Sequence, residues 1–432
     1  MHHNPDRRLT AEDEEGIMLV LQHRDRVCRI DLRLPLSSLQ KLVTATNDEF
    51  PILEYLHVAP LTKHDARLAL PRTFEAPRLR NLWLTHFASP IGSPLLSTVT
   101  GLVILSLEWI HPSTYPHPNA FLQQLSLLPQ LEEIDIGFLS PVPRRDIKEQ
   151  LLHTPVSLRA TLPNLRVFSF AGVTAFLEAL LPRITTPLLD KFRVRFIHHP
   201  SLSVPSFLPF MTATEKLRFS NAGFIFYHEA VAMLLYPHVG SQLENVSVHL
   251  PCRHLDWQVS SVAQISKVLH PLFSEVVDLT LDYREHILSS GSHNQADPTQ
   301  WRELLGSFSN VKTLRVHNGL VGELSRSLQF DREQPLEVLP ELKELVCPVG
   351  SVDDKTFASF IREHEVAGRP VNLIGETFPA GRYPYVFCSP TGVSYIGSDS
   401  VSPMCYLPDI SCRLSSQTVT KRLRNLYDFV LG

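Results

Sequence analysis

The sequence predicts an α/β solenoid with a parallel concave sheet and helices on the convex side. Three observations predict it: a recurrent six-residue apolar pattern, period-2 alternation inside each copy, and helical spacing between copies. The pattern, L-x-x-L-x-L, reads Val27-Cys28-Arg29-Ile30-Asp31-Leu32, then Leu53-Glu54-Tyr55-Leu56-His57-Val58, then Leu79-Arg80-Asn81-Leu82-Trp83-Leu84. Further copies start at Leu102, Leu131, Leu165, Leu189, Leu243, Val276, Val311 and Leu342, and a degraded one, Lys216-Leu217-Arg218-Phe219, precedes Leu243. About twelve copies, roughly 23 to 35 residues apart, compare with the ~20–29 of regular leucine-rich repeats. The predicted fold is therefore an irregular leucine-rich-repeat horseshoe.

Each element follows from its local pattern. Thr10-Ala11-Glu12-Asp13 has capping-box spacing, and Ile17, Val20 and Leu21 share a helical face, which predicts a short helix shielding the first strand. In each hexad the fourth and sixth residues are apolar with a polar one between, the signature of a half-buried strand. Phe121-Leu122-Leu125-Leu128 and Val262-Ile265-Val268-Leu269 have helical spacing, and Pro129, Pro182 and Pro271 close such stretches. No single strand–helix unit buries its own apolar face, so neighbours must stack. Three residues past the hexad, where Asn or Cys is common, stand Leu61, Phe87, Ile110, Leu139, Val173 and Ile197. An apolar ridge is expected there. The last repeat-like strand is Val371-Asn372-Leu373-Ile374. The division is thus 1–26 for an N-terminal segment and capping helix, 27–374 for the solenoid, and 375–432 for an irregular, largely disordered tail.

Composition limits the function classes. The net charge of -4 on 432 residues carries no basic excess, so neither nucleic acid nor an anionic membrane is expected as partner. No secretory h-region and no apolar run of about 20 residues occurs. A cytoplasmic or nuclear monomer is expected, and Asn245-Val246-Ser247 should then stay unmodified. Cys28, Cys252, Cys347, Cys388, Cys405 and Cys412 form no C-x-x-C pair, and no metal or cofactor is expected. His228-Glu229 begins like the zinc-protease motif, but Ala232 stands where the second histidine should be. The pair reads as an ordinary helix start. Gly392-Val393-Ser394-Tyr395-Ile396-Gly397 is one residue too long for a nucleophile elbow. A non-catalytic protein is the expectation, with a hydrolase as the disfavoured alternative.

Candidate binding residues come from strand stacking. The third and fifth hexad positions should face the concave side. This places Lys191, Arg193 and Arg195 beside Lys216 and Arg218 of the next repeat, with Glu133 and Asp135 about 10 Å away across two strand spacings. Either the long side chains splay into solvent or they anchor an acidic segment of a protein partner. Tyr55, His57 and Trp83 should share the same face as an aromatic patch, unless flanking loops cover it.

Several stretches carry a more specific resemblance: Ala11-Glu12-Asp13-Glu14-Glu15-Gly16-Ile17, Phe50-Pro51-Ile52-Leu53-Glu54-Tyr55-Leu56, Ile91-Gly92-Ser93-Pro94-Leu95-Leu96, Pro182-Arg183-Ile184-Thr185-Thr186-Pro187-Leu188-Leu189 and Cys252-Arg253-His254-Leu255-Asp256-Trp257. Over residues 9–374 the chain resembles the leucine-rich-repeat portion of the F-box proteins of mushroom-forming fungi. The resemblance implies substrate recognition for a cullin-type ubiquitin ligase. In that family an F-box docks on a Skp adaptor. This sequence has no Leu-Pro-x-Glu-like F-box opening before its first strand, so adaptor docking is not expected from these residues, and a free-standing repeat scaffold is the alternative.

Overall fold

The computed structural model describes residues 10–45, 49–61, 68–87, 90–109, 116–138, 157–197, 204–238, 241, 243–284, 296–317, 319–329, 338–350 and 356–377. Its strands are β1 (Arg29–Leu34), β2 (Tyr55–Pro60), β3 (Asn81–Thr85), β4 (Ile104–Trp109), β5 (Glu133–Phe138), β6 (Ala160–Thr161), β7 (Val167–Gly172) and β8 (Ile184–Thr185). They continue as β9 (Lys191–Phe196), β10 (Asn221–Tyr227), β11 (Ala230–Tyr236), β12 (Val246–Pro251), β13 (Asp278–Arg284), β14 (Thr313–Val316), β15 (Glu344–Pro348) and β16 (Asn372–Glu376). Among the described residues fourteen of them form one sheet, ordered β1-β2-β3-β4-β5-β7-β9-β12-β11-β10-β13-β14-β15-β16, while β6 and β8 pair separately. The chain is an α/β leucine-rich-repeat solenoid.

The hexads do what their pattern requires. Their first, fourth and sixth residues point into one continuous core, as with Leu79, Leu82 and Leu84, or Leu131, Ile134 and Ile136. Each fully buried leucine contributes roughly 1.5–3 kcal/mol against exposure. Just before each strand one carbonyl joins the repeats. Those of Cys28, Glu54, Arg80, Val103, Glu132 and Arg166 each accept two successive amides of the next repeat at 2.7–3.2 Å. The helix Ala11–Gln22 carries the Thr10–Asp13 capping box and buries Ile17 and Leu21. Lys41 bonds Glu14 at 2.9 Å, tying this helix to the next, Leu36–Ala45.

The regular stacking breaks once. After β9 the chain runs on to β10, turns back through β11 antiparallel to it, and fills the gap beside β9 with β12. The helix Leu255–Val268 then carries it to β13, which pairs with β10. The carbonyl ladder breaks at the same place: Phe192 donates to Asn245 at 2.7 Å, and doubled acceptance resumes at Ser220, Val277 and Lys312.

This break corrects three expectations. First, β9 stacks against β12, so Arg193 faces Ser247 and Arg195 faces His249. The row through Arg193 runs Ser247, Leu234, Gly223. Gly223 thus occupies the place expected for Arg218, five residues later, because Phe219 and not an earlier residue starts that copy. Lys216 and Arg218 lie before β10 and are exposed. Second, His228 and Glu229 form the hairpin turn between β10 and β11, not a helix start. Third, Leu243 does not behave as a hexad leader: it is 59% exposed, whereas Leu189 in the equivalent place is at 0%.

The expected ridge is mixed. Phe87 is buried, Val173 and Ile197 are half-buried and Leu61 is exposed. Ile110 and Leu139 lie outside the described residues. Alternation continues past the hexad, so the inward ring sits one place earlier, as at Phe138 and Phe196. At the C-terminal end β16 runs through Glu376, two residues beyond Ile374. Residues 378–432, including Cys388, Cys405, Cys412 and the Gly392–Gly397 stretch, lie outside the described residues.

Candidate functional site: the concave face of the sheet

Alternation along each strand sends one set of side chains to the core and the other to the concave face. On β2 and β3 the second set is Tyr55, His57, Asn81 and Trp83, all half-buried. The register Tyr55↔Asn81 and His57↔Trp83 sets these rows side by side. The Tyr55 and Trp83 rings lie 4.8 Å apart, tilted 39°, and His57 meets the Trp83 ring edge-on at 6.4 Å. From β1, the Arg29 guanidinium covers the Tyr55 ring at 3.7 Å. Asp31 accepts from Arg29 at 3.3 Å and pairs with His57 Nδ1 at 2.8 Å. Burial opposes ionisation of Asp31, but the bonds from His57 and Arg29 outweigh it and hold the carboxyl below its usual range. Burial, aided by the Asp31 carboxylate, holds the Tyr55 phenol above its own. The three aromatic residues expected to share a patch are brought together.

The charged residues further along are arranged differently from expectation. Lys191, Arg193 and Arg195 do face the concavity. Arg193 pairs with Glu244 at 3.4 Å, and Lys216 reaches Asp190 at 3.2 Å. Arg218 has no counterpart across the sheet. Glu133 and Asp135 stand two strands from β9, across Val167 and Ser169. Water reaches Asp135, yet the surrounding concave wall strips enough of its hydration to push the carboxyl up to about 6. Glu133 adds to that rise, while Arg195 and Arg193 oppose it. His249, half-buried beside Arg195, is pushed down to about 4 by burial and then by Arg195 and Arg193. It is neutral at pH 7.

Two features went unread in the sequence. The hairpin places Ile225, Ala232 and Leu234, with Tyr227 and Tyr236, in a second apolar cluster apart from the main core. Beyond it, Arg315 bridges Asp278 at 3.4 Å and Glu376 at 2.9 Å, and Arg284 holds Asp282 at 3.0 Å. Alternation in Asp278-Leu279-Thr280-Leu281-Asp282 was the available signal for the acidic row. Among the described residues no group of three or more His, Cys, Asp or Glu is placed to hold a metal ion. No helix among them is long and apolar enough to cross a membrane.

No family model matches the chain, and no curated protein does. Among solved structures it is similar to one described as "Crystal structure of TLR13-ssRNA13 complex", at 12% identity and a TM-score of 0.29. The alignment covers 82% of this chain and 46% of that one, so the chain spans less than half of that structure's length. At that identity and score the likeness bears on neither ligand nor activity.

Proposed function

We propose that this is a non-catalytic protein-binding repeat protein whose concave sheet receives the partner. One observation carries the reading: the Arg29–Tyr55–Trp83 stack, with His57 and Asp31, lies on the face away from the core, its rings half-buried beneath an exposed Arg29. Large aromatic and arginine groups that do not fill a core are the side chains from which binding hot spots are made. Solenoids use this concave surface for recognition. The ion pairs of Arg193 and Lys216 weaken the pull of the β9 cluster on an acidic segment, so the aromatic end is the main anchor.

The test is affinity capture from cell extract with the wild-type chain and with a Tyr55→Ala/Trp83→Ala variant matched for thermal midpoint. Proteins held by the wild type should be lost, with affinity falling at least tenfold. Equal capture by both chains would remove the concave face from consideration. The resemblance over residues 9–374 extends the proposal: the bound protein is then a substrate presented to a cullin-type ubiquitin ligase. The other reading is a free-standing scaffold without a ligase link. Direct binding of a Skp adaptor to this chain separates the two.

A further inference from the structure

The sheet ends in a strand whose residues do not suit an edge. Among the described residues β16 pairs only with β15, in the register Leu345↔Leu373 and Cys347↔Gly375. Leu345 and Cys347 are fully buried, whereas Leu373 is 40% exposed and Ile374, on the opposite face, 39%. Open edges in native sheets are blunted by lysine or proline, and Asn372-Leu373-Ile374-Gly375-Glu376 has neither. Phase identifies the open backbone groups. The Asn372 amide donates to Lys343 at 2.8 Å, and the Glu376 carbonyl accepts from Val349 at 3.1 Å. Alternate residues of a strand bond the same neighbour, so Asn372, Ile374 and Glu376 are turned to β15. The amides and carbonyls of Val371, Leu373 and Gly375 point to the open side.

The chain runs on from this edge as Thr377-Phe378-Pro379-Ala380-Gly381-Arg382-Tyr383-Pro384-Tyr385-Val386-Phe387-Cys388. Past Thr377 these residues lie outside the described ones, and their pattern is read from the sequence. Thr377–Gly381 is a five-residue turn signal with proline and glycine, and a run rich in aromatic and β-branched residues follows. Setting Arg382 opposite Glu376 across that turn gives the pairs Gly375↔Tyr383, Leu373↔Tyr385 and Val371↔Phe387. In this phase each residue that must donate to the open edge has an amide. Pro384, which has none, falls between them with its nitrogen turned outward, where a strand tolerates proline. A shift of one residue either way would set Pro384 against Gly375 or Leu373 and lose a bond. The same phase puts Tyr385 beside the exposed Leu373 and an aromatic ring, Tyr383, beside Gly375. Arg382 then faces Glu376, an opposite-charge pair across the strands.

We propose that residues 382–388 fold back antiparallel on β16 as a fifteenth strand that closes the edge, in place of the irregular tail expected from residue 375. The new outer strand presents Pro384 to solvent, which discourages further pairing.

The experiment uses the full chain. Hydrogen exchange resolved to single amides should find Leu373 and Gly375 at least tenfold slower than in a Tyr385→Pro chain, which lacks the donor opposite Leu373. Val386→Pro, whose amide faces outward, should leave both protected. Independently, Asn372→Cys/Val386→Cys sets two thiols on a non-hydrogen-bonded pair, about 4.5 Å apart at Cα and within disulfide reach. Mild oxidation should join positions 372 and 386 in monomeric protein, as read by peptide mapping. Asn372→Cys/Tyr385→Cys, on opposite faces, should not join. Fast exchange at Leu373 and Gly375, protection indifferent to Tyr385→Pro, or no bond between positions 372 and 386 would each overturn the proposal. A bond between two chains, with protection that fades on dilution, would overturn it in favour of a second copy on this edge.

Discussion

Replacing Gly172 with alanine tests the packing that holds the middle of the solenoid together. Gly172 ends β7 and is in register with Phe196 of β9. A Cβ added there would lie 2.7 Å from Phe170 Cζ and 3.2 Å from Phe138 Cδ2. Neither ring can yield easily. Phe170 stacks on Phe176 at 6.1 Å and 6°, and Phe138 meets Phe176 edge-on at 5.0 Å, all three fully buried. Overpacking of this kind costs about 1–3 kcal/mol. Alanine returns about 0.4–1 kcal/mol by restricting the unfolded chain. The net loss for Gly172→Ala should therefore be about 1–2 kcal/mol. Phe170→Leu alone should cost a comparable amount through a cavity, but it removes the atom that clashes. The double variant should cost at least about 1 kcal/mol less than the sum of the singles, as expected of residues in contact. Urea unfolding followed by circular dichroism reads these differences. Hydrogen exchange at β5, β7 and β9 localises them, since long repeat arrays need not unfold in one step. A Gly172→Ala chain as stable as the wild type would refute the reasoning, and so would strictly additive losses.

The register break and the titrating pair on the concave face give the remaining predictions. Leu189→Ala should cost about 2–5 kcal/mol, as a buried leucine does, whereas Leu243→Ala, at the same place in its hexad, should stay within ~0.5 kcal/mol; comparable losses in parallel urea melts would mean that β12 is a regular repeat. Acid should act on His249 and Asp135 in opposite senses. The folded His249 resists protonation down to about 4 while the unfolded chain takes a proton near its ordinary value, so stability falls between about pH 6.5 and 4. The raised Asp135 carboxyl, titrating at about 6, takes its proton before the unfolded chain does, so its contribution rises on acidification from about pH 6 to 4. Thermal midpoints across that range should fall less steeply for His249→Gln and more steeply for Asp135→Asn. Solvent screening keeps the Asp135 effect below about 1 kcal/mol, and identical pH profiles for all three chains would contradict the assignment.

The repeat was legible because each hexad is a local statement: three apolar positions at fixed offsets declare both a strand and its buried face. That is why Leu79, Leu82 and Leu84 could be placed in the core, and Tyr55, His57 and Trp83 on the other side. The capping box at Thr10 was equally local. What could not be read was the order of strands around β9. A parallel solenoid and an antiparallel excursion use the same alternation, and His228-Glu229 is not one of the glycine-bearing turns that announce a tight hairpin. The interval between Leu189 and Leu243 was the available warning, since it was filled by one degraded copy where the structure needs two strands, β10 and β11. Assuming a regular stack there put Lys216 and Arg218 beside β9. A slip by an odd number of residues exchanges the two faces of a strand. The correct start of that copy lies five residues on, so Arg218 loses its place on the sheet and Gly223 takes it.

The excursion also divides the concave face on which the proposed partner would dock. Beyond it the charges satisfy one another: Arg315 spans Asp278 and Glu376, and Arg284 closes on Asp282. At its near edge Arg193 is drawn to Glu244, which the chain brings in just ahead of β12. The hairpin fills the ground between with the Ile225–Leu234 cluster, which is already buried. On β4 and β5, by contrast, Glu133 crowds Asp135, and Arg195 and Arg193 act on it from β9, two strands away. Desolvation and the neighbouring Glu133 raise the Asp135 carboxyl, and a cation brought beside it would favour its charged form. The half-buried aromatic surface of Tyr55 and Trp83 adjoins the same strands. The proposed docking face is therefore centred on β2 and β3, where Tyr55 and Trp83 stack on the side away from the core, and it owes nothing to the overall charge of the chain.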